Sequence, residues 1–329
     1  MESPRYREIP DRLNRNGHRR GAPAQLVAAL PRALPFLALA RPRPNRDGDV
    51  EMLAGTRTVH RFVDAAGDSG RLRWHLVEAR EGEPVVFLHG VPGSWYDWHH
   101  QIADLARDHR VVAIVLKGLG QTQKTPGDYR PAGIAEQLIA LFDVLQIERV
   151  NLVAHGRGTV VADHLGAAHP FRVRRYVRGQ QHLYHFSEAL ESNESWFATP
   201  LGSRLLRTPS LLVSGMYGER CRHPVSRSAL RRIVREWSHP GVGAAAARHF
   251  NSSSLRQEWT DRRSALMAHW RFPVLVVQGE HDPWQPREFY EGIEGTMPDA
   301  RVELLDAGFA FALENPAQTT RVLRDFLAT

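Results

Sequence analysis

Residues 153–158 read Val153-Ala154-His155-Gly156-Arg157-Gly158. They end an apolar run, Val150–Ala154, and begin a helical pattern that continues to Ala168. Small residues two positions before and after the centre predict a tight turn between a strand and a helix. Gly156, at the centre of that turn, has no side chain, so the turn carries no reactive group there. This junction decides the fold and limits the chemistry of the chain.

Apolar strand patterns alternate with helical patterns from about residue 55 onwards. The predicted strands are Thr56–Asp64, Arg71–Glu78, Pro84–Leu88, Val111–Leu116, Val150–Ala154, Val173–Val177, Pro273–Val277 and Val302–Leu305. The predicted helices are one capped by Ser94 that ends near Arg107, and Pro131–Leu145, Arg157–Ala168, Glu288–Thr296 and Pro316–Leu327. This alternation predicts an α/β fold, with a mostly parallel eight-stranded sheet and helices on both faces.

The alternation stops between about His182 and Trp270, where the sequence is polar, aromatic and mostly helical in pattern. We interpret this stretch as a helical cap inserted between two strands of the sheet. The predicted division is a basic N-terminal extension (1–50), the first part of the core (51–180), the cap (181–270) and the second part of the core (271–329).

Four segments carry a more specific pattern. They are His89–Trp98, Ala154–Gly158, Gly279–Pro283, and Ala307-Gly308-Phe309 followed by Leu313-Glu314-Asn315-Pro316. In order and spacing they resemble the oxyanion-hole loop, nucleophile elbow, acid loop and histidine loop of the α/β-hydrolase superfamily, in its epoxide hydrolase and haloalkane dehalogenase branch. The resemblance covers roughly residues 55–329 and implies the α/β-hydrolase fold with a cap.

Two of the three catalytic positions depart from that family. Gly156 stands at the nucleophile position and Phe309 at the histidine position, while Asp282 remains at the acid position. A covalent acyl- or alkyl-enzyme needs an activated nucleophile with a base in hydrogen-bond reach. The sequence therefore predicts that the usual esterase, epoxide hydrolase and dehalogenase mechanisms are lost.

The oxyanion hole is predicted to survive. Glycine adopts the strained conformation of the elbow without steric cost, so the amide of Arg157 should still point into the site from a helix N-terminus. The amide of Val91 should point there too. Two such donors can stabilise an oxyanion that develops in a transition state.

Asp282 is the predicted catalytic residue. With Phe309 in place of the histidine, we expect its carboxylate to face an apolar ring and its pKa to rise by desolvation, which suits a general acid or base. The alternative is that Asp282 is a relic that caps the following helix.

Further residues are candidates for the substrate pocket, although ordinary packing explains each as well. The predicted substrate-binding residues are Gly156, Phe309, Trp95, His155, His182, Tyr184 and Trp284. Cys221 is the only cysteine, and the paired histidines lack an acidic third ligand, so neither a metal nor a cofactor is predicted.

The charge balance argues against a nucleic-acid partner. Residues 1–46 hold ten arginines and three acidic residues, an excess of seven that equals the net charge of +7 for the whole chain. The 41 arginines beside only two lysines, Lys117 and Lys124, are typical of a GC-rich bacterial genome. We expect a cytoplasmic protein with a small-molecule substrate and no membrane partner. The sequence does not decide whether the protein forms an oligomer.

Three functions follow, in order of preference. The first is a non-hydrolytic enzyme of natural product metabolism that performs enolate-type chemistry on a bulky organic substrate, namely cyclisation, carbon–carbon bond formation, isomerisation or epimerisation. Cyclases, isomerases and epimerases with degraded triads occur in the superfamily, as the resemblance implies. The second is a catalytically silent small-molecule binding protein. The third is a hydrolase in which Asp282 activates water.

Overall fold

The computed structural model describes Pro31 and residues 41–181, 195–261, 269–295 and 299–328. Its sheet has nine strands in the order β1-β2-β3-β5-β4-β6-β7-β8-β9. The strands are β1 (Val50–Leu53), β2 (Thr56–Gly67), β3 (Gly70–Ala79), β4 (Pro84–Leu88), β5 (Arg110–Ile114), β6 (Val150–His155), β7 (Val173–Gly179), β8 (Val274–Gly279) and β9 (Ala300–Leu305). Strands β1, β2 and β3 pair antiparallel at one edge, β3 also pairs antiparallel with β5, and all pairs from β5 to β9 are parallel.

Helices cover both faces of the sheet and also fill the interval between β7 and β8. They are α1 (His99–Leu105), α2 (Pro131–Val144), α3 (Arg157–Ala168), α4 (Pro200–Leu205), α5 (Pro209–Arg220), α6 (Arg227–Trp237), α7 (Val242–Asn251), α8 (Leu255–Asp261), α9 (Phe311–Glu314) and α10 (Pro316–Leu327). In the described chain, none of these helices is long and apolar enough to cross a membrane.

The structure corrects two details of the predicted fold. The sheet has nine strands instead of eight, because the short strand β1 pairs with β2 at the exposed edge. The predicted helix at Glu288–Thr296 is wrong for its described part, which forms only two 3-10 turns, Arg287–Phe289 and Ile293–Gly295. The predicted hairpin is confirmed, since Gly67 pairs with Gly70 across its turn.

The central strands bring the candidate site residues to one edge of the sheet. All six residues of β6 and all six of β8 are buried, as expected for parallel strands that are covered on both faces. Gly156 follows β6 and Asp282 lies three residues beyond β8. Helices α4–α8 occupy the predicted cap region, whereas residues 182–194 and 262–268 lie outside the described residues. The four-part division of the chain stays a prediction.

Candidate functional site

The elbow has a geometry that suits glycine. Gly156 has φ +54° and ψ −122°, and it separates β6 from α3. Residues with a Cβ rarely adopt such angles. A Cβ built on Gly156 would lie 3.1 Å from Gln180 Oε1 and 3.2 Å from Gly90 Cα. The position that a nucleophile would occupy is therefore bordered by the side-chain carbonyl of Gln180, a residue that the sequence analysis did not select.

The two predicted oxyanion donors meet at this point. The backbone nitrogen of Val91 lies 3.9 Å from the Cβ position of Gly156, and Val91 and Arg157 both line a cavity beside it. Within residues 41–181, 195–261, 269–295 and 299–328, neither amide donates a hydrogen bond to a protein acceptor. Neither N–H group therefore has a protein partner among the described residues, and their role as oxyanion donors stays a prediction.

The cavity is small and mixed in character. Its volume is about 20 Å³, and about 10–15 Å³ is the least that holds one water molecule. The lining residues are Val91, Gly156, Arg157, Gln180, Gln181, Phe197, Met216, Arg220, Phe250, Trp284 and Phe309. None of these described lining residues is a serine, threonine, cysteine, histidine, aspartate or glutamate. The lining therefore provides neither a substitute nucleophile nor a substitute imidazole.

The prediction that the Asp282 carboxylate faces the ring of Phe309 is wrong, because a charged side chain lies between them. Its carboxylate forms a bidentate ion pair with Arg220, with Nη2–Oδ2 at 2.7 Å and Nε–Oδ1 at 3.2 Å. Both side chains are almost completely buried. The backbone N–H of Trp284 donates to Oδ1 as well, at 3.0 Å. The carboxylate thus has few free acceptor positions with which to remove a proton from a substrate.

Arg220 occupies the space between the acid and the ring at the histidine position. Its guanidinium carbon lies 4.2 Å from the centre of the Phe309 ring and 4.1 Å from the centre of the Trp284 ring. The backbone N–H of Phe309 donates to the carbonyl of Arg220 at 2.9 Å. A planar cation stacks well on aromatic faces. Arg220 is the last residue of α5, and nothing in its local sequence indicated this long-range contact.

The Arg157 side chain is held by a second buried ion pair. Its Nη1 donates to both carboxylate oxygens of Glu258, at 2.8 and 2.6 Å, and its Nη2 donates to the carbonyl of His249 at 3.0 Å. Glu258 lies on α8. The cap region is therefore joined to the elbow by one ion pair and to the acid loop by another.

The other predicted substrate-binding residues fall into three groups. Gly156, Phe309 and Trp284 line the cavity. His155 and Trp95 do not line the cavity. Nε2 of His155 lies 2.9 Å from the carbonyl oxygen of Phe309. Trp95 is fully buried against His60 and Tyr96. Burial lowers the pKa of His155 to about 4. His182 and Tyr184 lie outside the described residues.

Comparison with known proteins supports the fold. Residues 83–178 match the family described as alpha/beta hydrolase fold. A thermophilic esterase from Thermogutta terrifontis aligns with a TM-score of 0.68 and 22% identity, over 82% of this chain and 98% of its own.

Curated relatives have hydrolase names. "Epoxide hydrolase 2" of Caenorhabditis elegans is 28% identical over 148 residues, which cover 42% of this chain and 41% of the relative. The match thus spans about two fifths of that relative's length. "2-hydroxymuconate semialdehyde hydrolase" of Pseudomonas sp. (strain CF600) is 25% identical over 82% of this chain and 94% of its own.

Fold, matched segment and site together define a protein of the α/β-hydrolase fold, as the sequence predicted. The chain has this fold, and epoxide hydrolases are among the proteins that it resembles in sequence.

Proposed function

We propose that this protein is a non-hydrolytic α/β-hydrolase-fold enzyme that stabilises an oxyanion during enolate-type chemistry on an organic substrate. The reactions in question are cyclisation, carbon–carbon bond formation, isomerisation and epimerisation, in natural product metabolism. The observation that carries the proposal is the elbow at Gly156, which retains its turn without a nucleophile.

The charge distribution at the cavity supports an anionic intermediate. Val91, Arg157 and Arg220 all line the cavity, and two of them are the predicted amide donors. Preorganised donors of this kind stabilise charge that develops in the transition state, and they act most strongly where water is excluded. An enolate oxygen placed between the two amides would receive both hydrogen bonds.

Proton transfer requires Asp282 to exchange partners. A cavity of about 20 Å³ cannot hold a bulky substrate, so we infer that α5 moves when substrate enters. Because Arg220 ends α5, this movement would withdraw the guanidinium from Asp282 and expose the carboxylate as a base. The guanidinium would then be free to pair with an anionic group of the substrate.

Hydrolysis is the competing possibility, because the names of the relatives point to it. The usual mechanism would need a nucleophile and an imidazole at the cavity, and its described lining has neither. The remaining hydrolytic route is attack by water that Asp282 activates. Turnover of styrene oxide or 4-nitrophenyl acetate that Asp282→Asn abolishes would favour it over our proposal.

The oxyanion hole can be tested with two substitutions at one position. Proline at Arg157 removes the amide N–H at the first position of a helix, where proline is best tolerated. Arg157→Ala is the matched control, because it also loses the ion pair with Glu258 but keeps the N–H. The assay is deuterium incorporation from D₂O at the α-carbon of a panel of 1,3-dicarbonyl compounds, followed by NMR.

We expect the wild-type protein to catalyse this exchange. Arg157→Pro should be about 100-fold slower than Arg157→Ala, since one oxyanion donor contributes about that much. Equal rates in the two variants would refute the role of the amide. Asp282→Asn should also abolish exchange if Asp282 is the base.

A silent binding protein is the second candidate, and one observation favours it. Asp282 already accepts hydrogen bonds from Arg220 and from the Trp284 amide, as a purely structural carboxylate would. Saturable binding of a dicarbonyl compound, without any exchange by the wild-type protein, would favour this candidate over the enzyme.

A further inference from the structure

A cluster of potential metal ligands lies on the outer side of the acid loop, next to Asp282. Nε2 of His281 is 3.2 Å from Asp306 Oδ1 and 3.5 Å from Glu280 Oε1. The three ligand atoms all lie within 4.8 Å of one another. Glu280 and His281 follow β8, and Asp306 follows the neighbouring strand β9. Two parallel strand ends therefore bring one imidazole and two carboxylates together.

The separations fit a zinc ion. Zinc binds histidine nitrogen and carboxylate oxygen at about 2.0–2.2 Å, usually with tetrahedral geometry. Adjacent ligand atoms in such a tetrahedron are about 3.3–3.5 Å apart by geometry. The measured separations from His281 to Asp306 and Glu280, 3.2 and 3.5 Å, differ little from that edge. The separation between Glu280 and Asp306 is within 4.8 Å, so the two carboxylates can both turn toward one ion.

An outer partner orients one of the ligands. Nε2 of His223 lies 3.2 Å from Oδ2 of Asp306, the oxygen that does not face His281. Carboxylates that bind metals are commonly held by such a second contact. The backbone of His223 is fixed in turn, because its N–H donates to Glu314 Oε2 at 2.9 Å.

The backbone of the cluster is also held in place. The N–H of Glu280 donates to the carbonyl of Leu305, and that of His281 to the carbonyl of Ala307, both at 3.0 Å. Nη1 of Arg287 lies 4.0 Å from Oε2 of Glu280. The other oxygen of this carboxylate, Oε1, is the one nearer His281. The ligand-bearing loops are thus ordered while their side chains remain partly exposed to solvent and to ions.

We propose that Glu280, His281 and Asp306 bind one Zn²⁺ ion, with a solvent molecule in the fourth position. Bound zinc would join the loops after β8 and β9. Through His223 it would also reach the segment that follows α5. The two loops carry Asp282 and Phe309, and Arg220 directly precedes the third segment, so the ion would stabilise the closed arrangement of the site. The proposal does not depend on the reaction that the site performs.

Isothermal titration calorimetry of the tag-free, chelator-treated full chain with ZnCl₂ tests the site. The wild-type protein should bind one equivalent, and His281→Asn and Asp306→Asn should each remove it. His223→Asn should weaken binding about 10–100-fold, as expected for an outer partner of a ligand. Co²⁺ should give the visible absorption of a tetrahedral complex in the wild-type protein only.

The matched control is His169→Asn. His169 forms a comparable histidine–carboxylate pair with Glu136, at 2.9 Å, but this pair is not part of a group of three ligands in the described chain. This variant should bind zinc as the wild-type protein does. The proposal is wrong if the wild-type protein binds no zinc, if zinc binding survives both His281→Asn and Asp306→Asn in folded protein, or if Ca²⁺ binds in preference.

Discussion

At the scale of single residues, the site depends on two positions: a glycine where the family has a nucleophile, and an arginine side chain that pairs with the acid. Gly156 keeps the elbow geometry, and Arg220 provides Asp282 with the partner that an imidazole provides in the family pattern. A buried carboxylate without a partner would be costly, and the guanidinium removes most of that cost. The acid position thus depends on a residue at the end of a helix in the cap region.

Gly156→Ala should destabilise the protein by about 2–3 kcal/mol, because the elbow conformation is strained for a residue with a Cβ. The added methyl group would also approach Gln180 Oε1 at 3.1 Å and Gly90 Cα at 3.2 Å. The free energy of unfolding in urea measures the effect.

Gly55→Ala is the control for this prediction. Gly55 has φ +86°, and a Cβ there would meet nothing within 4 Å. It should cost about 1–2 kcal/mol, from the left-handed backbone alone. If both substitutions cost the same, the contacts around Gly156 contribute nothing, and the described packing of Gln180 against the elbow is wrong.

Single-residue patterns predicted the positions of Gly156, Phe309, Trp284 and the two amides at one cavity, because motif order fixes strand ends. They could not predict that Arg220 pairs with Asp282. The two residues are 62 positions apart, and their contact depends on how the cap region packs on the core. Glu258 was missed for the same reason, whereas Gln180 follows the core strand β7 and belongs to none of the four motifs.

At the scale of elements, local periodicity was sufficient wherever an element is regular and buried. The predicted helix Pro316–Leu327 has the observed bounds of α10, since a proline begins it and an apolar stripe continues through it. The error at Glu288–Thr296 has the opposite cause. That segment contains Gly292 at φ +79°, which interrupts a helix, and only short 3-10 turns form.

A buried contact joins the oxyanion-hole loop to α5. The hydroxyl of Tyr217 donates to Asp97 Oδ1 at 3.3 Å, and the Asp97 carboxylate packs over Gly93, where a Cβ would lie 1.8 Å from Oδ2. Desolvation raises the pKa of Asp97 from 3.8 to about 7. The folded protein thus binds this proton more tightly than the unfolded chain does.

Asp97→Asn should change how stability depends on pH. Because the folded-state pKa is raised, the contribution of Asp97 is fully present below about pH 4 and is lost as the pH rises through 7. A shift of about three units corresponds to roughly 4 kcal/mol. The variant does not titrate at this position, so its unfolding free energy relative to wild type should rise by about 2–4 kcal/mol from pH 4.5 to pH 8.

Urea unfolding of both proteins at each pH measures this difference, and the comparison cancels groups that titrate in both. Tyr217→Phe serves as the control. It leaves the carboxylate buried but removes a hydrogen bond that lowers the Asp97 pKa, so its stability should fall with rising pH at least as steeply as that of the wild type. A constant difference between Asp97→Asn and wild type across this range would show that Asp97 has no raised pKa.

At the scale of the whole molecule, buried histidines oppose the effect of Asp97. Burial lowers the pKa of His89 and His155 from 6.5 to about 4, and that of His249 to about 3. One nitrogen of each ring lies within 2.9 Å of a backbone carbonyl oxygen. The carbonyl belongs to Gly90 for His89, to Phe309 for His155 and to Lys117 for His249. These rings are neutral members of the core.

The net result should be a protein that is less stable in mild acid. A depressed histidine pKa gives stability that is present above pH 6.5 and lost as the pH falls toward the folded-state pKa. The pKa shifts of about 2.5 units for His89 and His155 and about 3.5 units for His249 correspond to roughly 12 kcal/mol in total, which exceeds the roughly 4 kcal/mol from Asp97. The free energy of unfolding in urea should therefore fall from pH 7.5 to pH 4.5.

His155→Phe identifies the source of this loss. The ring would pack among Phe309 and Phe311, and the carbonyl of Phe309 would lose its partner at every pH, which adds a constant cost. What changes with pH is the titration of one group, so the variant should lose less stability in acid than the wild type, by up to about 3 kcal/mol. If His155→Phe and the wild-type protein lose stability in parallel, protonation of His155 does not contribute to the acid sensitivity.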